Sequence, residues 1–146
     1  MATAHLNGID VHYEDGGSGP ALLLSHGYSA TLRMWDVQRR VLEDRYRLIT
    51  WDMRGHSSTE SPNDPAEYSL DATVADMKGL LAHCGVDRGV IGGLSLGGYV
   101  SLAFHRAHPE MVRALVIADS GPGYRSARDV EPARARPRGR AGGARA

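Results

Sequence analysis

The stretch VIGGLSLGGY, residues 90–99, decides the fold. It places one serine, Ser95, among four glycines, directly after an apolar run and directly before a segment that can form a helix. Residues 93–97 match the pattern G-x-S-x-G, in which a serine stands on a sharp turn between a strand and a helix. Strand and helix pass so closely there that a Cβ atom at Gly93 or Gly97 would clash. The stretch therefore predicts a strand–turn–helix unit that lifts the Ser95 hydroxyl out at the carboxyl end of a sheet.

Short apolar runs alternate with helical segments on both sides of this unit, which is typical of a parallel α/β sheet. An Asn7-Gly8 pair predicts a type I′ hairpin turn near the N-terminus. The predicted strands after it cover residues 21–25, 47–52, 89–94 and 113–119. The predicted helices cover residues 31–43, 69–85 and 96–108, with Ser69 as a cap and Gly85 as a terminator of the second one.

Composition divides the chain into two parts. Residues 124–146 contain seven arginines against Asp129 and Glu131 and are otherwise mostly alanine, glycine and proline. We predict a disordered tail there, after a partial folded domain over residues 1–123. The chain begins without a signal-peptide pattern, has no membrane-length apolar run and has a single cysteine, Cys84. These features predict a cytoplasmic protein that makes no membrane contact.

The predicted turn also offers a way to stabilise an oxyanion. Ser95 lies over the positive end of the following helix, and the Leu96 N–H points at any oxyanion that forms. A second donor should come from a loop after an earlier strand, where His26, Gly27 and Tyr28 stand. Gly27 lets the backbone fold back, so the Tyr28 N–H is the expected donor. A phosphate loop is excluded because no Lys-Ser or Lys-Thr follows the glycines, and a dinucleotide fingerprint is excluded because no G-x-G-x-x-G occurs.

With these motifs in order, residues 1 to about 123 resemble the α/β-hydrolase superfamily, in particular its small serine esterase-like members. The matching segments are residues 24–28, 51–59 and 92–98. The resemblance implies the N-terminal portion of that fold, a hairpin plus a mostly parallel sheet with flanking helices, without the cap and the last strands. It implies that Ser95 is the nucleophile and that the Tyr28 and Leu96 N–H groups form the oxyanion hole. The residues implied to support the Ser95 site are His26, Gly27, Gly93 and Gly97. Neither a cofactor nor a metal is expected.

The loop over residues 51–59 differs from the family pattern at one position. Asp52 and Arg54 are implied to brace the site rather than to react. Ser57 stands where the family usually has glycine, and a left-handed backbone there costs about 1 kcal/mol without glycine.

A serine nucleophile needs a base and an orienting acid, and the resemblance implies the chain order serine, acid, histidine. The last histidine of the sequence is His108, so no histidine follows at the implied place. His26 and His56 lie in loops at the expected sheet edge and stay open as bases. Asp119, at the end of the sixth predicted strand, is the candidate acid. Without the triad histidine we expect impaired activity.

The composition of residues 124–146 suggests why the triad histidine is missing. Arginine, alanine, glycine and proline are encoded by codons that can contain only G and C, so we interpret the tail as a frameshifted or truncated reading of a hydrolase gene near codon 125. A natural basic tail that binds nucleic acid or membrane is the alternative. An open apolar edge at the sixth strand would then favour oligomerisation or aggregation.

The function that the sequence predicts is hydrolysis of an ester or similar small-molecule acyl substrate. Cofactor-free haloperoxidase, lactonase and C–C hydrolase chemistry remain alternatives on the same turn. Dehalogenases and epoxide hydrolases are disfavoured, because those relatives carry aspartate where Ser95 stands. Outside the enzymes, the alternative is a non-catalytic fragment that binds a partner through its open sheet edge or its basic tail. We expect no nucleic-acid partner.

Overall fold

The computed structural model describes residues 2–122, and the tail over residues 124–146, with its predicted disorder, lies outside the described residues. The strands within the described part are β1 Ala2–Leu6, β2 Ile9–Gly16, β3 Ala21–Ser25, β4 Arg47–Trp51, β5 Gly89–Leu94 and β6 Val112–Ala118. The α-helices there are α1 Asp36–Leu42, α2 Leu70–His83 and α3 Leu96–Ala107. Short 3₁₀ turns lie at Leu32–Trp35, Pro65–Glu67 and Pro109–Met111.

Local sequence signals account for most of these boundaries. The hairpin turn is confirmed, with φ of 48° at Asn7 and 79° at Gly8, both in the left-handed region. The Ser69 hydroxyl accepts the Ala72 N–H at 3.0 Å and caps α2, as predicted. Ser57 does adopt the left-handed conformation expected at its position, with φ of 49°.

The predicted helix over residues 31–43 forms as two pieces rather than one. A 3₁₀ turn over Leu32–Trp35 precedes α1, because the Thr31 side chain accepts the Arg33 N–H and caps the turn. The Leu32 N–H donates to the Asp52 carboxylate at 2.7 Å. This bond ties the start of the 3₁₀ turn to the loop after β4.

One mixed sheet has the strand order β1-β2-β4-β3-β5-β6. The first two strands pair antiparallel, and β2 joins β4 antiparallel. The strand pairs β3–β4, β3–β5 and β5–β6 are parallel. The predicted fold class is confirmed. Because parallel strands end at the same edge, the loops after β3, β4, β5 and β6 meet there.

Apolar side chains cover both faces of this sheet. On one face Leu23, Ile91 and Phe104 belong to the main core beneath α2 and α3. On the other face Leu22 and Leu24 pack with Trp35 and Leu48. The alternation along β3 explains why that strand reads as a continuous apolar run, since both of its faces are buried.

Two further features of the described residues bear on the predictions. Burial raises the pKa of Cys84 to about 11, and its side chain packs against the main core, as expected of a filler rather than a reactive thiol.

Within residues 2–122, β6 pairs with β5 alone, and Val116 on it is 47% exposed. No helix in this part of the chain is long and apolar enough to cross a bilayer.

Candidate active site

Ser95 occupies the sharp turn between β5 and α3 with φ of 52° and ψ of −113°, and its side chain is exposed. Such a backbone costs about 1–3 kcal/mol and persists only where its surroundings enforce it. A Cβ atom at Gly93 would lie 2.6 Å from the Ser25 carbonyl oxygen, and one at Gly97 would lie 2.7 Å from the His26 carbonyl oxygen. Both glycines are therefore required, as the sequence predicted, and the end of β3 is a main reason.

The N–H group and the carbonyl oxygen of Ser95 both form hydrogen bonds with neighbouring parts of the fold. Its N–H donates to the Ala118 carbonyl oxygen at 3.0 Å. Its carbonyl oxygen accepts the Ser120 hydroxyl at 2.6 Å and the Tyr99 N–H at 3.0 Å. Sequence reasoning did not identify Ser120, which belongs to no motif. Gly98, a glycine beyond the G-x-S-x-G pattern, was the available signal, since a Cβ atom there would lie 2.9 Å from the Ser120 hydroxyl oxygen.

The loop after β3 lies directly against this turn. A Cβ atom at Gly27 would be 3.7 Å from the Ser95 Cβ and 3.2 Å from the Leu94 side chain. Tyr28, the next residue, has a side chain that is 77% exposed. Leu96 is the first residue of α3, and the first N–H groups of a helix have no partner within it. The two predicted oxyanion donors thus belong to segments that pack against Ser95.

His26 is fully buried, and both of its ring nitrogens are engaged within the fold. The Met53 N–H donates to Nε2 at 2.9 Å, and Nδ1 lies 2.7 Å from the Gly27 carbonyl oxygen. Because a carbonyl only accepts, Nδ1 carries the proton and the ring is neutral. Burial lowers the pKa of His26. His26 therefore cannot take a proton from Ser95, and the hypothesis that it is the base is wrong; it braces the loop after β3 instead.

His56 is half-buried in the loop after β4. Its Nδ1 lies 3.1 Å from the Arg54 carbonyl oxygen, which leaves Nε2 as the acceptor. Its ring centroid is 4.8 Å from that of His26 and 6.1 Å from that of Tyr28. No hydrogen bond joins a histidine to the Ser95 hydroxyl within the described part of the chain.

Asp119 follows β6 directly and leaves the strand direction with φ of 46°, which ends the strand one residue before its predicted end. Its exposed side chain lines an open cleft of about 710 Å³ together with Ser95, Leu96 and Tyr99. The structure thus brings the candidate nucleophile and the candidate acid to one cleft.

Asp52 and Arg54 are saturated by contacts within the fold. Besides the Leu32 N–H, the Asp52 carboxylate accepts the Ser58 N–H at 3.4 Å. Arg54 donates twice to the buried Asp76 carboxylate, at 2.9 and 3.0 Å, and these bonds raise its pKa. Both residues hold the loop after β4 in place, as predicted. Residues 2–122 contain no group of three or more His, Cys, Asp or Glu side chains arranged to hold a metal ion.

Residues 20–146 match the protein family described as alpha/beta hydrolase fold. An epoxide hydrolase 2 from Siraitia grosvenorii is 36% identical over 115 residues, which are 78% of this chain and 36% of that protein. A fluoroacetate dehalogenase from Burkholderia sp is 35% identical over 112 residues, or 75% of this chain and 37% of that protein. A crystal structure of an epoxide hydrolase from Vigna radiata superposes with a TM-score of 0.77 at 29% identity, covering 80% of this chain and 38% of that one. This chain therefore spans little more than a third of the length of these relatives.

Proposed function

Since the chain belongs to the alpha/beta hydrolase family, we propose that it carries the nucleophilic part of a serine hydrolase site that acts on an ester or similar small acyl compound. The observation that carries the proposal is the backbone of Ser95, strained to φ 52° and ψ −113° with an exposed hydroxyl at the first turn of α3. A chain gains nothing structural from such strain, whereas a nucleophile needs its hydroxyl clear of the sheet.

In the proposed reaction the Ser95 oxygen forms a bond to the acyl carbon while its proton passes to a base. The carbonyl π electrons move to oxygen, and the resulting oxyanion accepts hydrogen bonds from the Tyr28 and Leu96 N–H groups. Collapse breaks the bond to the alkoxide, which takes the proton from the base. Water then attacks the acyl-enzyme in the same way, which releases the acid and restores Ser95.

The names of the relatives raise epoxide opening as the second candidate, and the chemistry of Ser95 argues against it. A serine oxygen that opens an epoxide becomes part of an ether, which water does not cleave under these conditions. A carboxylate at that position would form an ester, which water does cleave. Of the two candidates, attack on an acyl carbon is therefore the one whose covalent intermediate on Ser95 can turn over.

Asp119 is the proposed acid, because it shares the cleft with Ser95. His26 is excluded as base by its two hydrogen bonds, so His56 is the remaining candidate of the two. In other serine hydrolases, removal of one triad residue leaves a rate that is roughly 10³–10⁴-fold above the uncatalysed reaction in water. We propose a rate enhancement of that order for this chain. A cofactor plays no part in the proposed reaction. A cytoplasmic location is proposed from the single cysteine.

The proposal is tested by measuring the intact mass of the full chain after reaction with a fluorophosphonate probe. We expect one adduct on the wild type and none on Ser95→Ala. Ser61→Ala, which alters an exposed serine in the loop after β4, is the matched control and should react like the wild type. Equal labelling of Ser95→Ala, or no labelling of the folded wild type, would refute the proposed nucleophile.

A further inference from the structure

Two hydrogen bonds join the backbone of Ser95 to the end of β6 and the residues that follow it. The Ser95 N–H donates to the Ala118 carbonyl oxygen at 3.0 Å. Two residues further along, the Ser120 hydroxyl donates to the Ser95 carbonyl oxygen at 2.6 Å. The second bond comes from a side chain 25 residues away in sequence and outside the G-x-S-x-G motif. The Ser120 bond therefore holds the Ser95 carbonyl by a contact that the G-x-S-x-G motif does not supply.

The geometry of the peptide bond shows what this contact controls. The Ser95 carbonyl and the Leu96 N–H belong to one planar peptide, and no cis peptide occurs in the described residues. In a trans peptide the two groups point in opposite directions. Whatever holds the carbonyl oxygen therefore also sets the direction of the Leu96 N–H, which is one of the two proposed oxyanion donors.

The Ser95 carbonyl oxygen accepts hydrogen bonds from two donors, which belong to different parts of the fold. The Tyr99 N–H reaches it at 3.0 Å as part of the first turn of α3, where helices fray most readily. The Ser120 hydroxyl donates to the same oxygen at 2.6 Å from a segment outside α3, and a carbonyl oxygen has two lone pairs with which to accept both bonds. Because the combination of φ 52° and ψ −113° at Ser95 is strained, rotation of this peptide, which changes ψ of Ser95, is a direct way to release strain. The Ser120 bond opposes that rotation.

This contact is a main reason why residue 98 is glycine. A Cβ atom at Gly98 would lie 2.6 Å from the Ser120 Cβ and 2.9 Å from its hydroxyl oxygen. Contacts below 3.0 Å do not occur for real Cβ atoms, so a larger residue at this position would push Ser120 away. The last glycine pair of the stretch thus has two separate uses, since Gly97 admits the loop after β3 and Gly98 admits Ser120.

We propose that Ser120 is a positioning residue of the Ser95 site, whose hydroxyl holds the Ser95 carbonyl so that the Leu96 N–H faces the oxyanion. The inference rests on the proposed function of Ser95. It assigns no bond making or breaking to Ser120, which acts through the 95–96 peptide alone.

Ser120→Val and Ser120→Thr form the matched pair for its test, because the two side chains have nearly the same shape and differ in the hydroxyl. The quantity measured is the second-order rate constant of fluorophosphonate labelling of the full chain. We expect the valine variant to react about tenfold more slowly or worse, toward the roughly 10²–10³-fold loss caused by deleting a whole oxyanion donor. The threonine variant should stay near the wild-type rate, and Ser61→Ala should match it.

A second readout does not depend on reactivity. The sequence contains three Ser-Leu pairs, so labelling serine carbonyls with ¹³C and leucine amides with ¹⁵N yields three correlation peaks, from residues 69–70, 95–96 and 101–102. The peak that disappears in Ser95→Ala, where residue 95 no longer carries the label, identifies the 95–96 peptide. In Ser120→Val we expect its carbonyl shift to change and its amide to exchange faster, with the other two peaks unchanged. If valine prevents folding, Ser120→Ala replaces it.

The outcomes separate the two proposals. Labelling of Ser95 at an equal rate in Ser120→Val and Ser120→Thr would overturn the role of Ser120 and leave the nucleophile in place. An unchanged 95–96 peak in Ser120→Val would overturn it as well. Labelling that survives Ser95→Ala would instead remove the proposed function, while the peak would still decide whether Ser120 holds the peptide.

Discussion

Replacement of Gly97 by alanine adds one methyl group at the tightest point of the candidate site. The new Cβ would lie 2.6 Å from the Ser25 carbonyl carbon and 2.7 Å from the His26 carbonyl oxygen. Both are backbone atoms, so no flexible side chain can move aside. Ordinary contact begins at 3.4 Å and the Ser25 carbonyl oxygen would lie closer still, so the end of β3 and the loop after it must shift by at least about 0.8 Å.

This shift predicts two measurable losses. Overpacking of a tight site costs typically about 1–3 kcal/mol, so we expect Gly97→Ala to lower the free energy of unfolding in urea by that amount. The displaced loop carries the Tyr28 N–H, and an oxyanion donor works only within about 2.7–3.1 Å of the oxyanion. We therefore also expect fluorophosphonate labelling to slow by roughly 10²–10³-fold, as when one donor is lost.

Gly79→Ala is the matched control. Gly79 lies inside α2, and a Cβ atom there would be 3.6 Å from the Leu6 side chain, an ordinary contact. Alanine favours a helix interior by up to about 1 kcal/mol over glycine, so this variant should be as stable as the wild type or more so, with an unchanged labelling rate. A Gly97→Ala protein with wild-type stability and wild-type labelling would refute the claim that the close approach of β3 and α3 builds the site.

Two further changes test the groups that brace the site. Asp76→Ala leaves the buried Arg54 guanidinium without its two bonds and should cost about 3–5 kcal/mol in urea unfolding; a loss below about 1 kcal/mol would contradict the bracing role. For His26, burial holds the folded pKa below the ordinary 6.5, so the unfolded chain binds the proton more readily and stability is lost as pH falls below about 6.5. His26→Asn should lack this component, and an equal change in the urea midpoint between pH 7 and pH 5.5 for both proteins would contradict it.

Much of the fold was predictable because the strands that build it are buried on both faces. Such strands read as unbroken apolar runs, and the bounds of β3 and β5 agree with the prediction. The helix over residues 31–43 was less predictable, since it forms as two pieces and the N–H of Leu32, the first residue of the 3₁₀ turn, is bonded to Asp52, 20 residues away. A local pattern contains no information on such a partner.

The same distinction holds for the site. The sequence by itself determined the turn at Ser95, because G-x-S-x-G and the flanking apolar run and helix are all local, and Gly93 closely approaches Gly97 within the turn itself. It also identified the loop after β3, which contains Tyr28. Only the tertiary structure decided that His26 cannot be the base and that Ser120 holds the Ser95 carbonyl. The physical reason is that a hydrogen-bond partner is chosen by proximity in the folded sheet, where the ends of β3, β4 and β6 meet, and not by distance along the chain.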